Sequence, residues 1–137
     1  MQFTKDELDA LLNNPKPLQL VRVDLSKAEL SGTDLSGADL TEAKLRYADL
    51  SKANLDGARL SEANLHGADL SEANLSDANL FGADLSGAKL INASLNYANL
   101  YETNMSGIDV SGAKYNNGTK WPDGFDPIAA GAILEEQ

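Results

Sequence analysis

Ala38-Asp39-Leu40-Thr41-Glu42-Ala43-Lys44-Leu45 states a rule that the chain obeys for most of its length. From Leu20 to Leu100 every fifth residue is leucine, and Met105, Val110 and Tyr115 keep the register. Two places before them the residue is mostly small, alanine at every such position from Ala38 to Ala98. A five-residue step carries a side chain about 140° round an α-helix, so the leucines would smear over its surface. In a flat strand an odd step flips the face at every repeat. The pattern therefore needs a bend in each repeat, with a short extended run, Ala-Asp-Leu, and then a corner. Ala and Leu point inward and the residue between them outward. The next two places carry many turn formers, Ser, Gly, Asp and Asn. A chain that always bends the same way coils, and stacked coils pair their backbones about 4.8 Å apart. Leu then lies over Leu and Ala over Ala, the dry column of a solenoid.

Units such as Ala83-Asp84-Leu85-Ser86-Gly87 and Ala73-Asn74-Leu75-Ser76-Asp77 resemble the pentapeptide-repeat family, whose pattern is A(D/N)LXX. The resemblance covers residues 18–117. The tail from Thr119 to Pro127, with Ala130-Gly131-Ala132 after it, is similar to that of cyanobacterial-type members. What the resemblance implies is an all-β solenoid, a right-handed quadrilateral β-helix with four units per coil and about five coils. The residues alone leave the coil size open. Gly67, Gly87 and Gly107 recur 20 apart, whereas Gly32, Gly57, Gly82 and Gly107 recur 25 apart.

The ends depart from the rule. Residues 1–17 read as an N-terminal helical cap. Thr4 is an N-cap, Glu7 completes a capping box, and Phe3 with Leu8 forms a hydrophobic staple. Leu8, Leu11 and Leu12 share a face, and Pro15 and Pro17 end the helix. Residues 18–117 form the repeat region, irregular at Leu18, Val23 and Thr33 and again at Thr103, Met105 and Ile108. Residues 118–137 form a C-terminal tail, with Trp121 and Phe125 expected to fold over the last coil. Ile128, Ile133 and Leu134 offer a weak dimer contact, the alternative being a monomer.

Composition narrows the chemistry. Without cysteine there are no disulfides and no thiol chemistry. A net charge of −10 argues against direct nucleic-acid binding. The first residues lack the apolar run of a signal peptide, and Ile128–Leu134 is too short to span a bilayer, so the expected place is the cytoplasm, off the membrane. A core filled by Leu and Ala leaves no dry pocket, and no metal-ligand, phosphate-loop or cofactor motif stands out. No catalytic, cofactor-binding or metal-binding residue is expected, and the chain reads as not an enzyme. His66, alone of its kind, falls at an outward corner and reads as solvated. Asp39, Asp49, Asp69 and Asp84 read as solvated single carboxylates with near-normal pKa.

The candidate contact patch is Phe81, Tyr97 and Tyr101. If four units make a coil, Phe81 and Tyr101 share one outward column, and Tyr97 turns the corner into the same face. The function expected is a protein–protein interaction or scaffold module with an unidentified protein partner. The alternative follows from the resemblance: some members mimic duplex DNA and bind type II topoisomerases. Here residues 18–117 hold 14 acidic and 8 basic side chains, a net of −6, and Lys27, Lys44, Arg46, Lys52 and Arg59 interrupt the acid. Ice binding would need regular Thr arrays, and the ladder Ser31, Ser51, Ser71, Ile91 is mostly serine.

Overall fold

Each leucine closes a short extended run and opens a corner. In the computed structural model, which describes residues 2–135, the Ala53 N–H bonds the Leu50 carbonyl across two intervening residues (3.1 Å). Lys52, third in that four-residue turn, has a φ of 60°. Positive φ at this place is what a type II turn demands, and glycine meets it without strain. Gly57, Gly67 and Gly87 do so, but Lys27, Glu42, Tyr47, Glu62, Asp77 and Tyr97 hold φ between 57° and 62° at the same place. The stacked turns determine the corner strongly enough to keep these residues in the left-handed region.

Parallel bridges run Asp39 to Arg59, Arg59 to Asn79 and Asn79 to Asn99, and likewise along three other columns. Each of these steps spans four five-residue units, so four units complete one turn and each turn has four sides. The wider spacing of some glycines, five units, does not correspond to a turn.

The unit Leu50–Asn54 shows how the backbone donors are satisfied. Leu50 and Lys52 donate forward to Asp69 and Ser71 (2.7 and 2.9 Å), and Asn54 donates back to Thr33 (2.9 Å). Ala53 closes the corner. The Ser51 N–H reaches no neighbouring turn, and the Asp49 carboxylate takes it at 3.0 Å. Thus the residue between Ala and Leu has a structural role, because its side chain accepts the N–H two places on, an Asx turn. The same bond recurs from Ser36 to Asp34, Ser76 to Asn74 and Tyr101 to Asn99.

Inside, the leucine of every unit from Leu20 to Leu100 is 0% exposed, and the inner alanines are at most 1% exposed. Burial of each such leucine favours the fold by about 1.5–3 kcal/mol.

At the start, helix α1 spans Lys5–Leu12 with Thr4 as N-cap and a complete capping box with Glu7. Leu8 is buried, and Phe3, Leu11 and Leu12 pack partly against the core. Gln2 reaches the open edge of the first turn: its N–H bonds the Asp24 carbonyl and its side-chain oxygen accepts the Asp24 N–H. At the other end the register slips. Asn99 bridges Lys120, an offset of 21. Strand β1 (Lys114–Tyr115) pairs in parallel with β2 (Ile133–Leu134), an offset of 19. The slip is absorbed by Asn116, whose side-chain oxygen accepts the N–H groups of Tyr97 and Gly118. Trp121 meets Tyr115 edge to face (5.3 Å) and stacks on Phe125 (5.1 Å), and both pack against the core. Met1, Glu136 and Gln137, at the outer limits of the two flanking segments, lie outside the described residues.

Candidate functional site

Outward side chains come from three kinds of place: the middle of each side, the second corner residue after each leucine, and the first corner residue. Phe81 and Tyr101 hold that corner place on successive turns, and the Gly82 N–H bonds the Tyr101 carbonyl between them (3.0 Å). They are 41% and 45% exposed. Earlier in the column the corresponding residues are Val21, Thr41 and Ser61, so the aromatic stretch is confined to the later turns. The Lys120 ammonium stands 5.7 Å from the centre of the Tyr101 ring. Beyond Tyr101 lies a cleft of about 270 Å³ lined by Tyr101, Glu102, Thr103, Pro122 and Asp123.

Tyr97 is also exposed, but it belongs to the neighbouring corner, on the far side of the run Ala98-Asn99-Leu100. Its ring lies over Gly118, where any Cβ would collide with it. Phe81 and Tyr101 thus form one column, and Tyr97 flanks it across one side of the rod. Ile128, Ile133 and Leu134 stay exposed at the tail.

A second aromatic site was not anticipated. Tyr47 is exposed, and its ring covers Gly67 on the next turn. The Arg46 guanidinium lies 5.7 Å from the Tyr47 ring centre, and His66 meets that ring edge to face at 5.3 Å. His66 is not simply solvated, as its corner position suggested. Its Nδ1 lies 2.7 Å from the Ser86 hydroxyl and its Nε2 3.1 Å from the Tyr47 hydroxyl. Ser86 gives its own proton to Asp84 (2.6 Å). In neutral His66, Nδ1 therefore donates to Ser86, and Nε2 accepts from Tyr47. The imidazole donates to the serine instead of taking its proton, the reverse of what a serine nucleophile requires. The signal for this site was Tyr47 standing four units before Gly67, readable only once the turn length is known.

Of the outward carboxylates, Asp39, Asp49 and Asp84 also differ from expectation. Asp49 accepts both the hydroxyl and the N–H of Ser51, and these bonds hold its pKa below the ordinary value. The Thr41 hydroxyl does the same for Asp39, with a smaller contribution from the Thr41 N–H. At Asp84 partial burial pushes upward, but the two bonds from Ser86 and the nearby charges of His66 and Arg46 bring the pKa down overall. A carboxylate that closes its own corner is a structural part, not a free face. Among the described residues no group of His, Asp or Glu has the arrangement to hold a metal ion, and no helix is long and apolar enough to cross a membrane.

Residues 19–57, 38–77 and 78–114 match the family described as pentapeptide repeats, in 8 copies. Among solved structures the chain is similar to Rfr23, a pentapeptide repeat protein from the cyanobacterium Cyanothece 51142. The two are 33% identical over 80% of this chain and 67% of that one, with a TM-score of 0.62. It is also similar to HetL from Nostoc sp. strain PCC 7120, a pentapeptide repeat protein involved in heterocyst differentiation regulation. There the identity is 32% over 85% of this chain and 63% of that one, with a TM-score of 0.61. A trypsin-treated form of QnrB1, a plasmid-mediated fluoroquinolone resistance protein, is 16% identical over 85% of this chain and 81% of that one, with a TM-score of 0.51; this is a likeness of fold alone. No curated protein matches the chain.

Proposed function

The chain belongs to the pentapeptide-repeat family, and from that footing we propose that it is a non-enzymatic interaction or scaffold module. Its protein partner docks on the Phe81–Tyr101 column, with Tyr97 on the adjoining corner. The observation that carries this reading is the pair of half-exposed aromatic residues on successive turns of one corner, where the earlier turns carry Val21, Thr41 and Ser61. Clustered exposed aromatics are common anchors of protein contacts. The absence of catalysis belongs to the same reading. The interior is occupied by leucine and alanine, and catalysis needs unlike groups converging on a dry pocket.

In this reading residues 18–117 wind about five coils of a right-handed quadrilateral β-helix. Among the described residues, 2–17 close its first edge through α1, and 118–135 cover the last coil. Ile128, Ile133 and Leu134 provide at most a weak self-contact. The working compartment is the cytoplasm.

The test is affinity capture from the source cell's lysate with the wild type and the Phe81→Ser/Tyr101→Ser variant. A partner held by the wild type and lost by the variant is the expected result. Equal capture by both would overturn the placement of the contact.

A DNA-mimic reading, with a type II topoisomerase as partner, draws on the net charge of −10 and the rod-like fold. The columns speak against it, because Lys44 follows Asp24, Arg59 follows Asp39 and Lys89 follows Asp69. Duplex DNA presents an unbroken run of negative charge. In a gyrase supercoiling assay the protein is expected to leave the rate unchanged, and inhibition in the low micromolar range would favour the mimic.

A further inference from the structure

We propose that the Phe81–Tyr101 corner receives a basic segment of the partner protein, with a lysine or arginine side chain laid on the Tyr101 ring. This rests on the docking reading above and names the chemistry of the partner. Three observations carry it. First, the protein already places an ammonium there: Lys120 stands 5.7 Å from the Tyr101 ring centre, within the range in which a cation is attracted to an aromatic face.

Second, the surroundings are acidic. Glu62 leans across Gly82, beside Phe81. Glu102 follows Tyr101 at the same corner, and Asp123 stands across the cleft. Among the described residues the ion pair at this corner joins Arg22 to Glu42, which leaves these three carboxylates open to a cation from outside. Third, the cleft of about 270 Å³ beside the Tyr101 ring is lined by Glu102 and Asp123 and has room for the end of one long basic side chain. An acidic segment would find its match elsewhere, at Arg46 and His66 on a different corner.

The experiment measures binding of the intact protein to three labelled peptides: one rich in Lys and Arg, its Lys-acetylated, Arg-to-Gln form, and a Glu-substituted form. The basic peptide is expected to bind, less tightly as salt rises, since exposed charges are screened. Tyr101→Ser should weaken binding about fivefold, and Glu102→Gln/Asp123→Asn should weaken it and flatten the salt dependence. Lys120→Ala should tighten binding about threefold, because it removes the internal competitor from the ring. Tyr47→Ser, at an exposed aromatic on another corner, should leave affinity unchanged, and a thermal melt of each variant confirms that it folds. No binding, a preference for the Glu peptide, or indifference to Tyr101→Ser and the acid variant overturns the proposal. A captured partner lost by Phe81→Ser/Tyr101→Ser but retained in full by Glu102→Gln/Asp123→Asn would sink this inference and leave the docking reading standing.

Discussion

The ring of Tyr47 lies over Gly67, and the pair shows how one residue limits another a full turn away. Gly67 has a φ of 68°, and any Cβ there would overlap the ring. Gly67→Ala therefore faces two penalties: the left-handed backbone and the clash. Together they should cost about 2 kcal/mol, of which about 1 belongs to the backbone. In a Tyr47→Ser background only the backbone part should remain. Denaturant unfolding of the four proteins in this cycle separates the two. Equal costs in both backgrounds would mean that the ring swings aside freely. The converse holds at Lys52, a non-glycine residue with a φ of 60°. Lys52→Gly relieves strain and should gain about 0.5 kcal/mol, after the extra freedom it gives the unfolded chain is subtracted.

One five-residue unit is a side and a corner, and the outward Asp or Asn ties them together. Asp49→Ala removes both bonds to Ser51 and should destabilise by about 1 kcal/mol, read as a lower melting temperature. Asp49→Asn keeps an oxygen for the Ser51 N–H and should cost less. If the two substitutions were equivalent, charge and not the corner bond would be what matters. The inward half of this unit was legible from spacing alone, because Leu and Ala recur at five and burial follows directly. The outward half was not. Periodicity marks Asp49 as polar and exposed, but the bond it makes runs to the backbone two places on and leaves no trace in the spacing. Tyr47 and His66 were opaque for another reason. Their partners, Gly67 and Ser86, lie one full turn further along the chain, and glycine spacing left turns of four and five units equally open. Phe81 and Tyr101 could be paired only on a four-unit turn, the size that the family resemblance implies.

Across the whole rod these local bonds become one dependence on pH. Asp24, Asp34, Asp39, Asp49, Asp84 and Asp109 all have pKa values held below the ordinary carboxylate value. In the unfolded chain they titrate near about 3.9. Well above that value both states are ionised and the stabilisation is fully present. As the pH falls below about 4 the unfolded chain takes up protons first, and the stabilisation is lost through the folded pKa values. A second effect runs the other way. The net charge of −10 repels itself, and acidification toward the pI of about 4.3 relieves that repulsion. At about 0.15 M salt, charges more than about 8 Å apart are largely screened, so the repulsion between sides of the rod is weak and the corner bonds dominate. The melting temperature should therefore stay nearly level from about pH 8 to 5 and fall below about pH 4. Asp39→Asn/Asp49→Asn/Asp84→Asn should melt lower at neutral pH and lose less on acidification, because the groups that titrate are gone. A wild type that gains stability steadily down to about pH 3 would show that repulsion, and not the carboxylate-closed corners, governs the rod.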